Sequence, residues 1–235
     1  MIAIGYVVIF VVAQTALGVF TRAQALNITS SNLADYIQPL HLFTCLYCAV
    51  NIMINLWEIA LFLHIDRIKA TFDGYKKKCE DGKLPSPLFL LHDVSFSKAC
   101  SFEFWHDVWA TYSLLDVSYS QKGSFGFNID VGNGFSTLLP SLLFLTSACN
   151  PQKSLGVSPR TFGFVSALFF YQAMYGTFVY MFQYVNNKRW KDHNTPVSQI
   201  IFLVCGTNGF WIIGPIAGLV VSYMMVLQDS VQVLH

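Results

Sequence analysis

Charge is scarce in this chain. Charged residues make up 11% of its 235 residues, where a soluble domain usually carries about 25%. That shortfall excludes an ordinary water-exposed surface. The formal balance is +1, so no basic face is available to hold nucleic acid. Internal repeats and low-complexity tracts are missing. No His or Cys cluster has metal-ligand spacing, so neither a metal nor a cofactor is expected. The six cysteines (Cys45, Cys48, Cys79, Cys100, Cys149 and Cys205) are scattered and imply no disulfide framework. Cys45 and Cys48 form a C-x-x-C with no second pair beside it, which reads as neither a metal nor a redox motif. The first apolar run lacks a basic leader and a small-residue cleavage site, so it reads as a membrane span rather than a signal peptide.

What the chain has is hydrocarbon, at 54% of its residues. A spanning helix needs about 20 mostly apolar residues. Five stretches qualify: Ile2 to Phe20, Leu40 to Ile65, Phe125 to Cys149, Phe162 to Tyr184 and Val197 to Leu227. The expected fold is all-α, a polytopic membrane bundle of five transmembrane helices. Residues 1–38 form a first span with its loop, 39–228 a four-helix membrane domain containing a polar loop at 66–124, and 229–235 a short tail. Within that loop, Leu84-Pro85-Ser86-Pro87 marks a turn. Phe102 to Leu115 reads as an interfacial or partly buried helix.

Five spans place alternate connections on opposite sides. The N-terminus, the long polar segment and the Asn186–Asn194 loop share one side and carry eleven of the fourteen Lys and Arg residues. The other side has only Arg22, Lys153 and Arg160. The positive-inside bias makes the first side cytosolic, or matrix-facing in a mitochondrion. Asn27-Ile28-Thr29 would then be a glycosylation acceptor on the far side.

Two carboxyls fall well inside the spans, Glu58 and Asp130. Placing such a group at the centre of a bilayer costs about 2.5–3.5 kcal/mol on insertion scales, which makes it a functional-site candidate once a partner is named. Asn51, Asn55 and Glu58 share one helical face by spacing. So do Asp130, Asn133, Gly134, Thr137 and Ser141. Gln172, Tyr175, Gly176, Tyr180 and Gln183 make a third stripe, and Asn208 with Trp211 a fourth, ahead of Pro215. A lipid-facing carboxylate or amide would go unsatisfied, so the simplest packing turns all four stripes inward around one cavity. There the carboxyls could divide the work of an acid–base pair, and an indole face would stabilise a passing cation by about 2 kcal/mol. That combination suits migration of a double bond in an apolar substrate. The plainer alternative is that the stripes hold helices together, at roughly 0.6 kcal/mol per hydrogen bond.

The run Trp109-x-x-Tyr112-x-x-x-Asp116-x-x-Tyr119 resembles the segment leading into the catalytic span of the emopamil-binding-protein family of sterol delta-8 to delta-7 isomerases, part of the EXPERA superfamily. Fourteen residues after Asp116 comes Asp130, where that family has a catalytic glutamate. Pro140 falls near the family's Gly-Pro. Tyr175-Gly176-x-x-x-Tyr180 is similar to its fourth-span motif, and Asn208-x-x-Trp211-x-x-x-Pro215 to its fifth. Glu58 falls where the second span carries its acidic residue. The resemblance implies an EXPERA-type bundle. It makes Glu58, Asp130, Trp211 and Asn208 catalytic, and places Asn55, Asn133, Tyr112, Asp116, Tyr175 and Tyr180 against a sterol or other membrane lipid. It also implies the endoplasmic reticulum, with the mitochondrial inner membrane as the alternative.

Three positions depart from the family pattern. Ile54, beside Asn55, stands where the isomerases have a histidine. Asp130 is one methylene shorter than their glutamate, and Ser118 replaces an arginine. Proton transfer demands close geometry. The rival expectation is therefore a non-catalytic relative that binds lipid or serves as an accessory subunit of a membrane complex, or that pairs as a homodimer.

Overall fold

The computed structural model describes residues 1–28, 37–80, 91–191, 198 and 201–235. The Pro-Ser-Pro turn at 84–87 and Thr29 of the sequon lie outside the described residues. Nine α-helices are described: α1 (Ala3–Ala25), α2 (Pro39–Leu63), α3 (Ile65–Glu80), α4 (Phe96–Ala99), α5 (Phe102–Tyr112), α6 (Phe125–Ser147), α7 (Pro151–Leu155), α8 (Pro159–Asn186) and α9 (Thr207–Gln228). A π-helical turn, Ile201–Gly206, precedes α9. Among the described residues the one β-type pairing is an isolated bridge between Ile2 and Asp93.

Four helices are long and apolar enough to cross a membrane: α1, α2, α8 and Val204–Gln228. Helix α6 has 23 residues, enough for a span, but Asn128, Asp130 and Asn133 in its first turns lower its apolarity. The segment expected as a polar loop is largely helical. His64 interrupts the α-helical run, and α3 begins at Ile65. Asp66 in the first turn of α3 and Lys77 and Lys78 in its last complement the helix dipole. Its Ile65, Ile68 and Phe72 share one buried face.

The chain divides into two compact units. One comprises residues 1–8, 54–135 and 176–209. In it the backbone of Ala3 donates to His92 O at 2.9 Å, and that of Val94 to Met1 O at 2.9 Å. Ala3, Val94 and Phe104 form a small core with Tyr6, Trp105 and Val108. Trp105 stacks on Trp57 at 5.2 Å, and Trp109 Nε1 donates to Trp57 O at 2.7 Å. Arg67 pairs with Glu103, joining α3 to α5.

The second unit comprises residues 9–53, 136–175 and 210–235. Its core is aromatic and aliphatic, with Tyr47, Phe144, Phe162, Phe169, Phe170, Val221 and Met225. Gly218 lets α9 lie against Phe170: a Cβ there would fall 2.3 Å from the ring. Asn51 Nδ2 donates to Ser141 Oγ at 2.7 Å and Thr137 Oγ1 at 3.3 Å, so these three stripe residues do act as inter-helical glue. Arg22 is buried and donates to the carbonyls of Leu234 and His235, each at 2.9 Å.

One prediction belongs to the α3–α5 contact. His106 is buried. Its Nδ1 faces Glu103 O, and its Nε2 lies 3.1 Å from Asp107 Oδ1 and 3.4 Å from Thr71 Oγ1. Burial disfavours the imidazolium, but the hydrogen bonds to Asp107 and Glu103 outweigh it and raise the pKa above the usual 6.5. Only the protonated ring donates from both nitrogens. A raised folded-state pKa stabilises fully below the unfolded value, and that contribution is lost as pH rises through the folded one. Hydrogen-exchange protection of the α5 amides, corrected for intrinsic rate, should therefore fall from pH 6 to pH 8. The loss should vanish in His106→Gln.

Candidate functional site

The residues that carry chemistry in the first unit are gathered by one helix crossing. On α2, Asn55 and Glu58 lie one turn apart. On α6, Asp130 and Gly134 do the same. A Cβ on Gly134 would fall 2.7 Å from Glu58 Cβ, 3.2 Å from Asn55 O and 3.3 Å from Ile59 N. Only a residue with no side chain allows the two backbones this approach. The crossing sets Glu58 against Gly134, one turn along α6 from Asp130. Glu58 is 5% exposed, while Asp130 is half-buried. Glu58 Oε2 has no hydrogen-bond partner among the described residues, an uncommon state for a buried carboxyl oxygen.

Asp130 receives a hydrogen bond from Tyr119. Tyr119 is buried, stacked on Trp109 at 5.0 Å and edge-on to Tyr112 at 5.1 Å. Tyr119 also bonds to Tyr180, whose hydroxyl donates to Asp116 Oδ2 at 3.1 Å. Asp116 is fully buried. It begins a 3₁₀ turn, Val117–Ser120, by accepting the backbone N–H of Ser118 at 2.9 Å. Arg189 Nε lies 4.0 Å from Asp116 Oδ1, the oxygen that takes the Ser118 N–H. Tyr112 bonds to both Tyr180 and Thr207. Burial pushes the hydroxyls of Tyr112 and Tyr119 up, and the Asp130 charge adds to the rise at Tyr119. Both remain protonated donors at neutral pH. Tyr119 and Tyr180, in contact with each other, thus present a hydroxyl donor to each of two carboxyls, Asp130 and Asp116.

The structure brings together Glu58, Asn55, Asp130, Tyr112, Asp116 and Tyr180 in this unit. Asn133 is half-buried, and its amide lies 3.2 Å from where a Cβ on Gly176 would be. Asn208 is buried, but its Nδ2 donates to Val204 O at 2.7 Å, so that donor serves the π-turn of its own chain. Trp211 belongs to the second unit, wedged between Tyr47 at 5.5 Å and Phe210 at 5.2 Å. Tyr175 also belongs there and is 54% exposed, stacked on Tyr171 at 5.9 Å. Gln172, likewise exposed, bonds to Ser136. The α8 stripe expected to face inward does so at Gly176 and Tyr180, not at Gln172 or Tyr175.

Three contributors were missed by the sequence reading. Tyr119 stood in the quoted motif without a role. Arg189 counted only as a charge that sets topology. Gly134 was one small residue in a stripe. Among the described residues no group of three or more His, Cys, Asp or Glu side chains is placed to hold a metal ion. What the arrangement offers is proton donation and acceptance between two carboxyls in an apolar setting. No protein-family model, curated protein or solved structure matches the chain.

Proposed function

We propose that this chain is an EXPERA-type membrane protein with five spans, α6 being the fifth, and that it moves a double bond in a sterol-like lipid by proton transfer between Glu58 and Asp130. The observation that carries this reading is the close crossing of α2 and α6 at Gly134, which sets Glu58 one helical turn from Asp130. Tyr119 donates a hydrogen bond to Asp130, and Glu58 has an unpartnered oxygen; in this reading Glu58 is the proton donor and Asp130 the acceptor. Glu58 adds its proton to one alkene carbon. Asp130 removes a proton from the carbon on the far side of the resulting cation, and the double bond re-forms one position along. The substrate formula is unchanged, and the proton returns to Glu58 to reset the site. The resemblance places such a protein in the endoplasmic reticulum, with the mitochondrial inner membrane as the alternative.

The test is direct. Purified protein in lipid nanodiscs, supplied with a delta-8 sterol, should yield the shifted isomer by gas chromatography and mass spectrometry. Glu58→Gln and Asp130→Asn should each lower the rate by about 10²–10⁴-fold. Absence of product from the unaltered protein, under conditions where an established isomerase works, removes this reading.

A second reading has its own support. Asn208 and Trp211, two of the four residues expected at the chemistry, spend themselves on packing. That favours a lipid-binding or accessory subunit of a membrane complex. Gentle detergent extraction would then release the chain within a large particle containing other proteins, whereas a lone monomer or homodimer counts against it.

A further inference from the structure

The second unit holds a cluster that the carboxyl chemistry does not use. His41 lies at the start of α2, and Cys45 is one turn on. Cys149 follows α6 and is 108 residues from His41 in the chain. The Cys45 sulfur is 3.3 Å from His41 Nε2, and the Cys149 sulfur is also 3.3 Å from that same nitrogen. Two sulfurs sharing one contact atom can be no farther apart than twice that distance. All three side chains are buried. Cys149 is held from a second direction, since its carbonyl accepts from His235 Nε2 at 3.2 Å. A shared metal is not the explanation, because among the described residues no such group has the geometry for one. Nor is the C-x-x-C motif: Cys45's partner across the imidazole is Cys149, not Cys48.

We infer that Cys45 and Cys149 form a reversible disulfide, with His41 as the base that starts the exchange and a small disulfide compound as oxidant. His41 Nε2 takes the proton of one thiol. The thiolate attacks the oxidant's sulfur–sulfur bond, forming a mixed disulfide and releasing one reduced thiol. The second cysteine, deprotonated in turn, attacks the protein-side sulfur of the mixed disulfide and expels the other half of the oxidant as its thiol. Two cysteine thiols are oxidised and one disulfide is reduced to two thiols. The bond would tie the start of α2 to the segment after α6. The charge bias read from the sequence puts the start of α2 and the end of α6 on the non-cytosolic side, where disulfides persist.

The full chain in nanodiscs is treated with 4,4′-dithiodipyridine, quenched by alkylation and mapped by mass spectrometry. Cys100 and Cys205, both exposed, report that the reagent has reacted. The expected product is an intramolecular Cys45–Cys149 link, two hydrogens lighter than the dithiol and reversed by a reducing agent. It should be absent from Cys149→Ser, and should form about tenfold more slowly or worse in His41→Gln, with labelling of Cys100 and Cys205 unchanged. Free Cys45 and Cys149 after complete reaction at Cys100 and Cys205 would overturn the inference. So would a Cys45–Cys48 link, or an unchanged rate in His41→Gln.

Discussion

Gly134→Ala should lower the stability of the chain by about 1–3 kcal/mol, the usual cost of overpacking a closed contact. The new methyl would meet Glu58 Cβ at 2.7 Å and the α2 backbone at 3.2 and 3.3 Å. Backbone atoms cannot swing aside as the end of a flexible side chain can, so α2 and α6 must part. Gly132 is the matched control. It lies two residues away on the same helix, is exposed, and nothing stands within 4 Å of where its Cβ would be. Gly132→Ala should be neutral or stabilising by up to about 1 kcal/mol, since alanine outranks glycine in a helix. Thermal unfolding in one detergent, with both variants side by side, makes the comparison. Equal midpoints for the two would refute the close crossing. If the proposed chemistry holds, Gly134→Ala should also lose turnover out of proportion to its stability, because the carboxyls move apart with their helices.

Asp116→Ala should cost about 3 kcal/mol or more, the usual result of removing one partner from a buried ionic and hydrogen-bonded group. Three groups face the loss: the Tyr180 hydroxyl, the Arg189 guanidinium and the Ser118 N–H that starts the 3₁₀ turn. Asp116→Asn is the informative companion. It retains shape and one acceptor oxygen, so it should recover part of the stability, while the charge opposite Arg189 is gone. Asp66, which is 90% exposed and 3.3 Å from Lys122, offers the contrast. Its replacement by alanine should cost at most about 1 kcal/mol, the sum of a weak surface pair and a helix-dipole contact. A midpoint for Asp116→Ala equal to that of Asp66→Ala would show that the tyrosine–carboxylate contacts are not holding the unit.

The long helices are legible in the sequence because apolar composition over some twenty residues has few other meanings. Their ends are less so. The interruption at His64 and the start of α3 are invisible to composition, since Leu40 to Ile65 reads as one run. The carboxyls are legible as candidates because their cost in hydrocarbon is known without a structure. Their meeting is not, because it depends on Gly134, and a helical glycine does not announce what will press against it. Tyr175 shows the limit of periodicity. Five residues separate it from Tyr180, about 140° around a helix, so the two belong to different faces even though one motif contains both. Asn208 shows another limit. Its position on the expected face was readable, but not that its amide would turn back to a carbonyl of its own chain.

That carbonyl belongs to Val204, within the wide turn before α9. A turn one residue wider than its neighbours advances the phase of everything beyond it by about 100°. From residue 201 onward the apolar run therefore has no single helical phase. Residues inside the turn and those of α9 beyond it do not fall on one wheel, so a face read at a constant step of about 100° per residue is misassigned on one side of Gly206.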